Sequence, residues 1–214
     1  MISLVVVFYI FIAFFALAGG LRGWAKELLV SFSVVLTLFM VLILESYGGD
    51  ILQPFIELDR TYQTTSIPQD VEIYIIPPED LVRYKNLNDE ARDLFRNQFW
   101  LRTAMLGIFV FFGYQTPALA RLAGAARREK IQDFLLGLVI GGFNGYMVMG
   151  TIWSYMHSAH YPFDPYIIAP TQADELFSKA SAIINWLPPV WLGTVPGIYI
   201  AIGLAFLFVL VVFI

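Results

Sequence analysis

From Met1 to Ala18 the chain carries no charged side chain. That run, and four others like it, constrain the fold more than any other feature. The hydrocarbon core of a bilayer is about 30 Å thick, and about 20 apolar residues cross it as a helix. The other runs of that order are Trp24 to Leu44, roughly Thr103 to Ala120, Phe134 to Met156, and about Val190 to Ile214. A lone strand in lipid would leave its backbone unpaired, so each run must be helical. The expected fold is therefore all-α, a polytopic transmembrane helical bundle of about five spans. Charge supports this: 14% of the 214 residues are Asp, Glu, Lys or Arg, against about 25% in an ordinary soluble domain. Ala16-Leu17-Ala18 resembles a signal-peptide cleavage site. No base precedes the run and the run is long, so it reads as a retained span.

Short loops rich in Lys and Arg stay on the cytoplasmic side. The turn after the first run holds Arg22 and Lys26, and the turn after the third holds Arg121, Arg127, Arg128 and Lys130. The segment Glu45 to Gln98 lies opposite, with eleven acids and five bases, and so does His157 to Pro189, with three acids and one Lys. The N-terminus is then outside and the C-terminus inside. Trp100, Trp153, Tyr155, Trp186 and Trp191 fall near outer ends and Trp24 near an inner end, as interfacial aromatics should.

This divides the chain into a first two-span hairpin (1–46) and an outer acidic loop (47–98). A second two-span hairpin (99–157), another outer loop (158–189) and a C-terminal span (190–214) follow. Tyr47 to Pro78 reads as loop, with a short strand conceivable at Val71 to Ile76. Leu81, Tyr84, Leu87, Ala91, Leu94, Phe95 and Phe99 recur at helical spacing. They predict an amphipathic outer helix, started by Asn88, that then turns into the third span. A second such helix is expected from Thr171 to Trp186, with Asp174 and Glu175 in its first turn and Pro188-Pro189 ending it. Either could rest on lipid, on a partner, or on the protein's own loops.

Gly137, Gly141 and Gly145 stand four residues apart, on one face of the fourth span, with Gly150 close to that face. Missing side chains let another helix come close, more often one of the same bundle. Near the first turn, Arg22, Lys26 and Glu27 form a polar patch. The charges either snorkel to headgroups or pair, Glu27 with Arg22 or with Arg127, Arg128 or Lys130. Asp133 lies in the first turn of the fourth span, where the helix dipole favours an acid. No acid is expected at mid-span.

Gly19-x-x-Arg22-Gly23-x-x-x-Glu27 and Asp133-x-x-x-Gly137-x-x-x-Gly141-x-x-x-Gly145 together resemble the signatures of the colicin V production (CvpA) family. The resemblance covers about residues 1–44 and 99–157. The chain departs from the family pattern at Asn144, commonly basic there, in its longer outer segment, and in a fifth span. It implies a small bacterial inner-membrane protein linked to toxin export and envelope homeostasis, without a settled activity.

Zero Cys excludes a disulfide framework, thiolate metal sites and a Cys nucleophile. A net charge of −4 argues against nucleic acid. No phosphate loop, His-Glu-x-x-His pair or nucleophile elbow occurs. His157 and His160, three apart at the outer end of the fourth span, read as solvated or hydrogen-bonded loop residues before pigment, haem or metal ligands. No cofactor is expected. The sequence points to a non-enzymatic accessory or scaffold subunit that contacts lipid and other integral membrane proteins. The alternative is a small oligomeric transporter or channel.

Overall fold

A computed structural model describes residues 3–47, 81–115, 130–193 and 195–213. Among them every regular element is helical: α1 (Leu4–Arg22), α2 (Trp24–Tyr47), α3 (Asp89–Gln115), α4 (Lys130–Ser158), α5 (Phe177–Ile184), α6 (Pro188–Trp191) and α7 (Gly197–Phe213), with a 3₁₀ turn at Tyr84–Asn86. Three of them, α1, α2 over Trp24–Leu44 and α4 over Ile131–Ser158, are long and apolar enough to cross a membrane. Among the described residues the chain is thus all-helical, with the character of a membrane protein. The strand considered at 71–76 and the basic residues Arg121, Arg127 and Arg128 lie outside the described residues.

α1 packs most extensively on α4, α2 lies against α3, α4 and α7, and α3 touches α4. Gly19 and Gly20 belong to α1 rather than to a turn, and Arg22 ends that helix instead of opening the next. The link to α2 shrinks to Gly23, whose φ of +89° suits glycine. Its N–H returns to the Gly19 carbonyl at 2.9 Å and closes α1.

Where the sequence predicts an outer helix that turns into a span, the structure has one unbroken helix of 27 residues, α3. No Gly or Pro interrupts Phe99 to Ala104, so the period runs through. The boundary between 98 and 99 falls inside it. Asn88 does cap this helix, accepting from the Ala91 N–H at 2.8 Å. Its N-terminal half buries Ala91, Phe95 and Phe99, with Phe163 stacked edge-on to Phe99. The second outer helix is shorter than predicted. Asp174 folds back to accept from the Thr171 N–H at 2.6 Å, which makes a turn ahead of α5. Pro188-Pro189 starts α6 instead of ending α5, since proline is at ease in a first helical turn. The apolar stretch from Val190 is broken, and its regular helix begins only at Gly197.

Candidate functional site

The residues of both glycine motifs meet where α1 ends, α2 begins and α4 runs past. Gly137, Gly141 and Gly145 all face α1. A methyl group on Gly141 would lie 2.5 Å from the Phe15 carbonyl oxygen and 2.8 Å from the Gly19 Cα. One on Gly19 would lie 2.7 Å from the Gly141 Cα. Gly145 is equally close, 2.8 Å from the Phe15 Cβ. The helices touch backbone to backbone, and the contact is internal. Gly150 faces Pro188 instead.

One turn away, Asp133 joins the two hairpins. Its carboxylate accepts from the Trp24 N–H at 3.2 Å, so α2 takes its N-terminal cap from another helix. A Cβ on Gly23 would come within 2.8 Å of that carboxylate. Glycine here serves both the backbone turn and the approach of the acid.

Glu27 points the other way, into the bundle, and is fully buried. Its Oε1 makes no close hydrogen bond and faces the Arg22 Nε at 3.7 Å. Its Oε2 accepts from the Asn144 amide at 2.9 Å. The same amide nitrogen donates to the Glu27 backbone carbonyl at 2.8 Å. The Asn144 carbonyl oxygen accepts from the Ser31 hydroxyl at 2.6 Å. Asn144 and Ser31 are buried too. The Arg22 side chain, about one-third exposed, closes the cluster from outside. It donates to the Tyr114 carbonyl at 2.9 Å and lies 4.2 Å above that ring.

This corrects two expectations. The Glu27 charge does not snorkel to the surface, and the bundle interior does hold an acid. Asn144 is the fifteenth of the 29 residues of α4, so Glu27 reaches the middle of that helix. Ionisable groups in such surroundings need partners, and those partners set what they do. Here a guanidinium and a neutral amide share the carboxylate. Of the bases considered for it, Arg22 is in place, while Arg127 and Arg128 lie outside the described residues.

The opposite end of α4 is aromatic. Trp153 and Tyr155 are buried in the bundle, not spread along the lipid interface. The Trp153 Nε1 donates to the Tyr161 hydroxyl at 3.0 Å. His157 Nδ1 lies 3.2 Å from the same hydroxyl. His160 bonds through Nδ1 to the Val82 carbonyl at 3.1 Å, with its ring against Phe95. Both histidines are buried rather than solvated, and they have separate surroundings. Left-handed backbone at His160 and Tyr161 (φ 56° and 57°) turns the chain there. Burial raises the Tyr161 hydroxyl above its ordinary titration range.

Gly19, Arg22, Gly23, Glu27, Asp133, Gly137, Gly141 and Gly145, all singled out by sequence, thus line one joint. Ser31, Tyr114 and Asn144 complete it and were not anticipated. Ser31 stands four residues after Glu27, and Asn144 sits beside the glycine face, so the spacing held a signal. No protein-family profile, curated protein or solved structure matches this chain.

Proposed function

We propose that this chain is a non-enzymatic integral membrane protein, similar to the colicin V production family, that serves as an accessory or scaffold subunit. Its neighbours would be other integral membrane proteins of a bacterial inner-membrane complex. The division of faces on α4 carries the reading. The glycine edge is occupied by α1, while Leu135, Leu136, Val139 and Phe143 on the other side are exposed. Ile108, Phe111 and Phe112 do the same on α3. A core locked from within, with broad apolar flanks, suits a part against which other spans pack.

The chain would cross the bilayer five times, with its N-terminus outside and its C-terminus in the cytoplasm. The contacts of Arg22 with Tyr114 and of Trp24 with Asp133 support the alternation of the first four crossings, because they gather the ends of α1 and α3 and the starts of α2 and α4 at one level. The orientation rests on the Lys and Arg of the short turns. Single Cys residues at Asp70 and Arg127 test it. Labelling of both from the same side of intact cells overturns the orientation.

A small oligomeric transporter or channel is the second reading. The buried Glu27 carboxylate against mid-α4, paired with a partly exposed Arg22, favours it, since ionisable groups inside bundles mark many solute and ion paths. Extraction in mild detergent, followed by sizing, separates the two. Different proteins retained at fixed stoichiometry support the scaffold, and a pure homo-oligomer supports the transporter. A lone monomer with full cellular function defeats both.

A further inference from the structure

Residues 159–196 lead from the end of α4 to α7, and by sequence they are mostly an outer loop. Their contacts lie deeper. Pro188 sits on Gly150, so that a Cβ on the glycine would meet the Pro188 Cδ at 2.6 Å. The Tyr146 hydroxyl donates to the Trp186 carbonyl and accepts from the Trp191 Nε1, the latter at 2.9 Å. Tyr146 precedes the end of α4 at Ser158 by 12 residues, about 18 Å of helix.

The whole of α4, 29 residues, is about 43 Å long, roughly 13 Å more than a hydrocarbon core. If that entire surplus stood above the membrane at the Ser158 end, Tyr146 would still lie about 5 Å inside the hydrocarbon. The other end, with Lys130 and Asp133, takes a share of the surplus and so puts Tyr146 deeper.

Composition and hydrogen bonding agree with that depth. From Ala180 to Ile214, 35 residues contain no Asp, Glu, Lys, Arg or His. Irregular backbone survives at membrane depth only where it is buried in protein and its polar groups are satisfied. Here the Trp186 N–H reaches the Ile183 carbonyl and the Val190 N–H the Leu187 carbonyl, both at 2.9 Å. The Leu192 N–H reaches the Pro188 carbonyl at 2.8 Å, and Tyr146 takes the Trp186 carbonyl. Leu187 and Pro188 are buried, whereas Trp186 is 72% exposed and Trp191 42%.

We propose that residues 180–193 dip into the membrane as the irregular first part of a discontinuous span, with their exposed rings against phospholipid acyl chains. α5 brings the chain down into the leaflet at the Ser158 end of α4. The turn at Trp186–Pro188 docks on the Tyr146–Gly150 face. α6 and α7 then complete a discontinuous last crossing. Two Trp rings and the exposed amide of Asn185 fit the upper acyl region rather than the bilayer centre. The inference rests on the membrane reading given above, and the experiment keeps the two apart.

The chain has no Cys, so single nitroxide labels can be placed at Trp186→Cys and Asn185→Cys in the full protein. The proteins are reconstituted in phosphatidylcholine–phosphatidylglycerol vesicles. Val139→Cys, on the exposed apolar face of α4, is the lipid reference, and Lys179→Cys, exposed beside the segment, is the water reference. The expected result is that labels 185 and 186 collide with oxygen as 139 does. They also lose the collisions with a water-soluble nickel chelate that 179 shows. Chelate collisions at both 185 and 186 overturn the proposal, as does exclusion of both reagents, which would mean a protein surface covers the segment. Chelate collisions at 139 would defeat the membrane reading itself. If Trp186→Cys does not reconstitute, Asn185→Cys decides alone.

Discussion

Between residues 137 and 145, α4 meets α1 through bare backbone, whereas from Trp153 onward the same helix is packed by large rings. At the first place Gly141 faces Gly19 and Phe15, and an amide, a carboxylate and a hydroxyl are bonded beside them. At the second, Phe8 meets Trp153 edge-on at 5.5 Å, and Tyr161 is fully enclosed. On the membrane reading proposed above, the difference follows solvent. Between helices in lipid the hydrophobic effect is absent, so contact must come from close approach and from polar pairs. Near water, burying ring area contributes about 25 cal/mol per Å² and close backbone contact is not needed. One helix therefore uses two packing chemistries along its length.

Gly141→Leu tests that contrast most severely. Backbone at 2.5 Å cannot give way, and overpacking should cost about 3 kcal/mol or more. The variant is expected to fail to accumulate as folded protein, read as the midpoint of thermal unfolding in dodecyl maltoside. Gly107→Leu, with nothing within 4 Å of its Cβ, should leave that midpoint where it is. Equal behaviour of the two would remove the distinction. Glu27→Ala strips Asn144 and Arg22 of their shared partner and is expected to cost about 2 kcal/mol. Glu27→Gln, which still offers Asn144 an acceptor, should lose clearly less. A larger loss for Glu27→Ala than for Gly141→Leu would make polar bonding, not close approach, the main lock.

At the aromatic end, Tyr161→Phe leaves the buried Trp153 N–H without its acceptor, for about 1.5 kcal/mol. Its pH dependence sharpens the comparison. Burial holds the Tyr161 phenol neutral above its ordinary value near 10. Its contribution is thus full below that value and declines as pH rises past it, because the unfolded chain ionises first. Alkaline titration of the unfolding midpoint should fall less steeply in Tyr161→Phe. Asp133→Ala removes the cap on α2 and is expected to cost about 1 kcal/mol. Arg83→Ala removes a half-exposed arginine 3.3 Å from a largely buried Asp164 carboxylate and should lower stability by no more than about 1 kcal/mol.

The three longest apolar helices and the glycine face were legible in the sequence because each is a periodic or compositional signal carried by one segment. α3 was misread at its joint, since a shift from amphipathic to apolar composition looked like a turn although no breaker was present. The break between α5 and α7 was hidden for the opposite reason. Pro188-Pro189 sits inside an apolar run, and only the nearness of Tyr146 and Gly150 shows where the chain bends. Glu27 was readable as a boundary charge but not as a buried one. Its burial depends on Asn144, 117 residues away, and single-segment patterns cannot report such a pairing.

The cap that Asp133 places on α2 has a consequence for biogenesis. Ribosomes deliver Trp24 long before the acid that caps it, which follows 109 residues later. The Asn144 amide arrives later still. During that interval the opening hairpin holds bare amides and a carboxylate with Arg22 as its nearby base. A nascent chain that ends before α4 lacks both partners, so the opening hairpin completes its cap and its buried pairing only once α4 has been made.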